Sequence, residues 1–249
     1  MTRGILVTGG GTGIGLEIAR QFATAEPGAT IVLTGRRAEP LEKAAAELSA
    51  AAAEGVSVLA EVCDHTDPDT LIRLVERLPA RIDVLVNNAG GNTDFDADGA
   101  DDLAAYARDF RANLDANLLS AALTTRAVEG RLADGGAVVH IGSIAADQGA
   151  GSYGAAKAGL VAWNISLAGE LGGRGITANV VSPGYTKETE FFRDRLTDER
   201  RGALVAATAT GRAGTPSDIA GAVVFLASPA ARHITGQVLH VNGGAHKAR

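Results

Sequence analysis

Seven short apolar runs, rich in valine and isoleucine, alternate along this chain with longer segments of helical period. The runs are residues 5–8, 30–34, 56–61, 82–86, 137–141, 176–181 and 237–241. Most are apolar at successive positions rather than alternately, which suits strands covered on both faces. Between them, Leu41, Ala44, Ala45 and Leu48 recur at i, i+3, i+4 and i+7, as do Leu71, Leu74, Val75 and Leu78, and such stripes bury one face of a helix. Helical period also marks the stretches 101–131, 152–172 and 217–227. Thr66-Asp67-Pro68 and Thr215-Pro216-Ser217-Asp218 carry the capping side chain and early proline of helix starts. The alternation predicts an α/β fold: one domain over residues 1–249, a doubly wound Rossmann sheet of seven parallel strands with helices on both faces.

Composition removes several classes of function. With 46% apolar and 21% charged residues the chain has material for a two-sided core. A net charge of -6 without a basic stripe argues against nucleic acid. No apolar stretch reaches the length of a membrane span, and the apolar run after Met1 is too short for a signal peptide. Cys63 is the single cysteine, expected as a small buried residue at a strand end. The expected setting is the reducing cytoplasm. None of the five histidines has a second at metal-motif spacing, so no metal is expected. His140 reads as a strand residue rather than a base, and His246 as part of a mobile end.

The stretch Thr8-Gly9-Gly10-Gly11-Thr12-Gly13-Ile14-Gly15 lies between the first strand and a helix carrying Ile14, Ile18 and Phe22. In that setting glycines let backbone approach a phosphate, and the first helical N–H groups face the anion. About twenty residues further on, where a carboxylate would hold the ribose 2′-hydroxyl of NAD, the sequence reads Thr34-Gly35-Arg36-Arg37. Two guanidinium groups there suit a 2′-phosphate, so NADP(H) is expected over NAD(H). Glu39 is the one dissenting acid nearby.

Tyr153 and Lys157 stand at i and i+4, on one face of the helix after the fifth strand. A free tyrosine titrates near 10, and a neighbouring ammonium favours its phenolate. The pair joins Asn87-Asn88-Ala89-Gly90 after the fourth strand, Asn117, His140-Ile141-Gly142-Ser143 and Pro183-Gly184. In a parallel sheet these strand ends meet at the ligand-binding edge.

Across essentially its whole length the chain resembles the short-chain dehydrogenase/reductase family. The resemblance rests on these motifs with Asp64, the closing Val241-Asn242-Gly243-Gly244, and Gly211-Arg212-Ala213-Gly214-Thr215-Pro216-Ser217-Asp218, the last similar to β-ketoacyl carrier-protein reductases. It implies hydride transfer between nicotinamide and a carbonyl or secondary alcohol, free or thioester-linked. Tyr153 would be the general acid/base, Lys157 would lower its pKa and hold the nicotinamide ribose, and Ser143 would bind the carbonyl oxygen. Asn117 would bind a water linking Lys157 to solvent. The cofactor would be held by Gly9, Gly11, Thr12, Gly13, Ile14 and Gly15. Arg36 and Arg37 would take its 2′-phosphate, and Asp64 its adenine. Asn88, Ala89 and Gly90 would line the adenosine side, while the segment from Pro183 and Gly184 would meet the carboxamide through Thr186 or Thr189.

Two features depart from the family pattern. Ser143 and Tyr153 are ten positions apart, a short spacing, which makes Ser152 the alternative hydroxyl. Asn242 stands where the family often has aspartate. Residues 186–210 are expected as a helical segment covering the site, with Phe191, Phe192 and Leu196 as an apolar wall and Arg193, Asp194 and Arg195 solvated. The run from Gly91 through Phe95, Asp96, Ala97 and Asp98 reads as an exposed acidic loop. The resemblance further implies a homo-oligomer, tetramer or dimer, joined through the long helices, with Trp163 either in that seam or in the core. A non-catalytic NADP(H) sensor is the alternative function, one that would have no need of Asn117, Ser143, Tyr153 and Lys157 together.

Overall fold

The structure is a computed structural model that describes residues 2–95, 102–193 and 195–247. Asp96, Ala97, Asp98, the expected helix start at Asp101, and Asp194 lie outside the described residues.

Seven strands form one all-parallel sheet: β1 (Gly4–Thr8), β2 (Thr30–Gly35), β3 (Ser57–Val62), β4 (Ile82–Asn87), β5 (Leu132–Ile141), β6 (Thr177–Pro183) and β7 (Val238–Val241). Their spatial order is β3-β2-β1-β4-β5-β6-β7. The strand order reverses between β1 and β4, so a crevice opens there at the carboxyl ends of the strands.

Side-chain alternation explains why the strands are apolar throughout. Ile5 and Val7 point into one core and Leu6 into the other; Ile31 and Leu33 oppose Val32, and Val84 and Val86 oppose Leu85. The first core is covered by α1 (Gly13–Ala25), α2 (Ala38–Ala51) and, beyond β6, a helix over Pro216–Leu226, through Ile18, Phe22, Leu41, Leu48, Ile219 and Val223. The second lies under α3 (Pro68–Arg77) and helices within 103–172, through Leu71, Leu74, Val128, Leu167 and Leu171.

The expected start of α3 is where the sequence puts it, with the Asp67 carboxylate accepting from Asp69 N–H and Pro68 in the first turn. The helical stretch 101–131 is interrupted. It divides into α4 (Leu103–Leu114), a wide π turn at Asp115–Leu119, α5 (Ser120–Val128) and a 3-10 turn at Glu129–Arg131. After β5 come the one-turn α6 (Ala145–Gln148) and the long α7 (Gly151–Gly172). After β6, the described residues of the 186–210 segment are helical over α8 (Asp198–Ala206) alone, and turns carry residues 191–193. The last helix, α9 (Pro216–Leu226), has a complete capping box between Thr215 and Asp218. Among the described residues no helix is long and apolar enough to cross a membrane.

Trp163 packs against the second core, with its ring 5.2 Å from His140. Cys63 is buried just past β3.

Candidate active site

The carboxyl ends of the strands surround a crevice of about 1070 Å³. At one end the glycine loop folds tightly onto itself. A Cβ on Gly15 would collide with the Gly9 carbonyl oxygen and the Asn88 side chain, and one on Gly9 would come within 2.8 Å of Asn88 Nδ2. Asn88 holds this loop: its Nδ2 donates to the Thr8 and Gly9 carbonyls at 2.9 and 3.1 Å. The N–H groups of Asn88 and Ala89 both donate to Thr8 Oγ1. Gly9, Gly11, Thr12, Gly13 and Ile14 line the crevice, whereas Gly15 lies behind Gly9. Thr12 makes no side-chain cap on α1, so the positive end of the helix is left to an anion.

Arg36 and Arg37 both line the crevice beyond β2. Arg37 Nη2 meets Glu190 Oε2 at 2.7 Å, and both side chains are largely exposed. Glu39 is exposed in the first turn of α2 and is not part of the lining. Asp64 accepts from Thr66 N–H and Oγ at 2.9 and 2.7 Å. Its burial works to raise its pKa, but the Thr66 bonds and the Arg36 charge outweigh that and hold it below the usual carboxylate range. Buried His65 bridges Thr34 Oγ1 at 2.8 Å and Thr124 Oγ1 at 2.7 Å. Burial lowers its pKa to about 4, so it is a neutral structural link.

Beside the end of β5, Ser143, Tyr153 and Lys157 line the same cavity. Burial pushes the Tyr153 hydroxyl up to about 12, against a hydrogen bond with Ser143 that pulls it down. Lys157 Nζ lies 5.8 Å from the Tyr153 ring centroid and donates to the Ile141 carbonyl at 2.8 Å. Burial lowers its pKa to about 8. Burial is thus the larger influence on the Tyr153 hydroxyl, and the influence that lowers it is the Ser143 hydrogen bond rather than the expected ammonium. Ser152 is committed elsewhere: its hydroxyl donates to Asp94 Oδ1 at 3.0 Å and accepts from Asn113 Nδ2 at 2.8 Å. The short link from Ser143 to Tyr153 is taken up by α6 and the turn at Gly149.

Asn117 sits in the π turn, buried behind the crevice wall. Its Oδ1 accepts from Gly91 N–H at 3.0 Å, and its Nδ2 donates to the Gly91 and Asn113 carbonyls at 2.8 and 3.1 Å. These bonds press it against Gly90, where a Cβ would meet Asn117 Oδ1 at 2.6 Å. Among the described residues, none of these bonds runs to Lys157.

At the end of β6, Pro183 and Gly184 form the opposite wall. Thr186 Oγ1 turns back to the Gly184 carbonyl, and Thr189 Oγ1 to that of Thr186, each at 3.3 Å. Thr189 also lies against Gly13, so it reaches across to the glycine loop.

The acidic run after Gly90 is more than an exposed loop. Phe95 enters the crevice lining and packs on Phe191 and Phe192 at 5.8 and 6.0 Å between ring centroids. Phe191 in turn lies 5.6 Å from the Tyr153 ring, and Tyr185 lies 5.8 Å from Phe192. Leu196 is half-buried outside the lining. The sequence signal for Phe95 was a lone aromatic among acids, which periodicity cannot place. His140 is fully enclosed. Its Nδ1 lies 3.1 Å from Asn87 Nδ2, and burial holds its pKa at about 3.

The family model described as enoyl-(acyl carrier protein) reductase matches residues 9–246. Galactitol 2-dehydrogenase (L-tagatose-forming) of Cereibacter sphaeroides is 38% identical, over 96% of this chain and 92% of its own. The 3-oxoacyl-(acyl-carrier-protein) reductase of Escherichia coli K12 is also 38% identical, over 97% and 96%. A solved short-chain dehydrogenase from Burkholderia cenocepacia J2315, in complex with NADP, superposes with a TM-score of 0.85 at 33% identity, covering 98% of this chain and 97% of that one.

Proposed function

Because this chain belongs to the short-chain dehydrogenase/reductase family of oxidoreductases, we propose that it is an NADP(H)-dependent reductase of a carbonyl compound with a bulky apolar body. The observation that carries this reading is the buried Tyr153 hydroxyl beside Ser143, faced by Phe191 at 5.6 Å.

The residues present fit a dinucleotide. The loop around Gly9 and Gly15 leaves no room for side chains, the α1 terminus is free of a side-chain cap, and Arg36 lines the crevice beyond β2 with a guanidinium suited to a 2′-phosphate. Arg36 and Arg37 would hold that phosphate, Asp64 the adenine, and Thr186 or Thr189 the carboxamide. When bound, the nicotinamide supplies or accepts the hydride.

Tyr153 donates its proton to the substrate oxygen during reduction and takes it back during oxidation. Ser143 Oγ donates to the same oxygen as negative charge develops on it. Lys157, anchored by the Ile141 carbonyl, brings positive charge to the tyrosine side of the cavity. Asn117 keeps the Gly90–Gly91 turn in place through its bonds to Gly91, which holds the cofactor side of the wall.

The apolar wall separates substrate classes. Phe95, Phe191, Phe192 and Tyr185 suit a hydrocarbon body, as in a 3-oxoacyl thioester, the substrate named for the Escherichia coli relative. A polyol, as named for the Cereibacter relative, would leave its hydroxyls against rings with few partners. The test is NADPH oxidation, followed by the near-ultraviolet absorbance of the reduced cofactor, with 3-oxoacyl thioesters, aryl ketones and ketoses, in wild type and Tyr153→Phe. Turnover of the apolar ketones that disappears in the variant supports the proposal. Turnover of ketoses alone overturns the substrate class, and tight NADPH binding with no turnover of any substrate would favour a sensor.

A further inference from the structure

Asp147 is distant in sequence from His240 and His246, and the three come together where the chain turns at the end of β7. One ligand atom of each lies within 4.8 Å of the others. His246 Nε2 is 3.6 Å from Asp147 Oδ2, and the two imidazole rings are 5.1 Å apart between centroids. His240 Nδ1 is buried and has no hydrogen-bond partner. A buried ring nitrogen in that state is available to an added ligand. We propose that these three side chains bind a divalent transition-metal ion of the zinc class, tying the segment after β7 to α6 beside the crevice.

Three observations carry the assignment. Two imidazoles and one carboxylate are the donor set of zinc and its neighbours rather than of magnesium or calcium. Donors at zinc-ligand bond lengths in a tetrahedron stand about 3.4 Å apart, close to the present His246–Asp147 separation of 3.6 Å. Asp147 is 41% exposed, so its carboxylate has open space beside it in which to adjust to an ion.

The turn that brings the two histidines together is itself well bonded. Asn242 Oδ1 accepts from Gly244 N–H at 2.9 Å, Asn242 Nδ2 donates to the His246 carbonyl at 3.1 Å, and Gly243 and Gly244 both take positive φ. The His246 backbone, expected as part of a mobile end, is thus hydrogen-bonded to this turn. No spacing rule in the sequence predicts this site, because the third ligand comes from α6. Asp147 precedes Gln148 and Gly149, which line the crevice, and α6 follows Ser143, whose Oγ accepts from Ala145 N–H at 3.1 Å. An ion there would fix the floor of the substrate end without touching the reacting atoms.

The test uses the full chain without a histidine tag, titrated with Zn2+ by calorimetry and with Co2+ by its visible absorption, beside Asp147→Asn, His240→Gln and His246→Gln. Cys63→Ser and His233→Gln serve as controls. The expected result is one ion per chain, an intense tetrahedral-type cobalt spectrum, and a rise in Tm with Zn2+. Affinity should fall by at least about tenfold in each of the three variants and in neither control. The surface variant Asp147→Asn keeps the comparison valid should a histidine variant misfold. Wild type that binds neither ion below about 100 µM, or affinity unchanged in Asp147→Asn and His246→Gln, overturns the proposal.

Discussion

Arg37 and Glu190 meet at 2.7 Å across the mouth of the crevice, joining the start of α2 to the segment after β6. Both are largely exposed, so the pair adds little to stability, but it occupies one of the two guanidinium groups expected at the 2′-phosphate. Arg36 is therefore expected to carry the greater share of any 2′-phosphate binding. Arg36→Ala is expected to reduce the NADPH-over-NADH preference by about one to two decades, and Arg37→Ala by less. Steady-state kcat/KM with the two cofactors measures both, and an unchanged ratio in Arg36→Ala would place the clamp elsewhere.

Removing the Tyr153 hydroxyl should abolish proton donation and leave the binding surface intact. Tyr153→Phe is expected to lower kcat by about 10²–10⁴, with NADPH affinity by fluorescence titration changed less than about threefold. Ser143→Ala should cost about 10² in kcat, whereas Ser152→Ala, whose hydroxyl is committed to Asp94 and Asn113, should cost stability and little kcat.

The pH dependence follows from two groups moved in opposite directions. Lys157 is lowered to about 8 and Tyr153 raised to about 12. As pH rises through about 8, Lys157 loses its charge while Tyr153 keeps its proton, so kcat/KM for reduction should fall there although the acid is intact. Lys157 also stays buried more readily when neutral. Its folded pKa lies below the unfolded value, so it favours folding increasingly as pH rises from about 8 toward 10.5. Tyr153, with its folded pKa above the unfolded value, works against folding as pH rises from 10 toward about 12. A flat kcat/KM profile from pH 7 to about 10 would remove Lys157 charge from the chemistry.

Gly15→Ala places a methyl group against the Gly9 carbonyl and Asn88. Overpacking of this kind costs about 1–3 kcal/mol, or a Tm fall of roughly 2–4 °C per kcal/mol in a chain of this size. Cofactor affinity should fall with it. Thermal unfolding with and without NADPH checks both; a variant with wild-type Tm and wild-type affinity would show that the loop can relax.

What could be read from the residues is what local rules govern. The strands follow from apolar continuity, the starts of α3 and α9 from Asp67-Pro68 and Thr215-Pro216, and the loop from glycines between a strand and a helix. The choice between Ser143 and Ser152 needed the Asp94–Asn113–Ser152 network, which joins three separate segments. Phe95 was hidden because its partners, Phe191 and Phe192, lie in a segment with no regular period. The burial that raises the Tyr153 hydroxyl escaped the i, i+4 argument because that argument counts the neighbouring charge and has no measure of burial. The metal-type cluster escaped it because Asp147 and His246 share no element.

The wide turn at Asp115–Leu119 resets the phase between α4 and α5. An ideal helix rotates about 100° per residue, and the π turn lets the two halves keep separate angular frames about one axis. α4 can thus direct Asn113 to the Asp94–Ser152 network while α5 directs Thr124 and Thr125 to His65 and Asn87. Asn117 lies at the junction of the frames. A single deletion in the turn would restore a uniform helix and swing everything on one side of it by about a quarter of a revolution. The bonds to Gly91 would then be lost although every residue making them was still present.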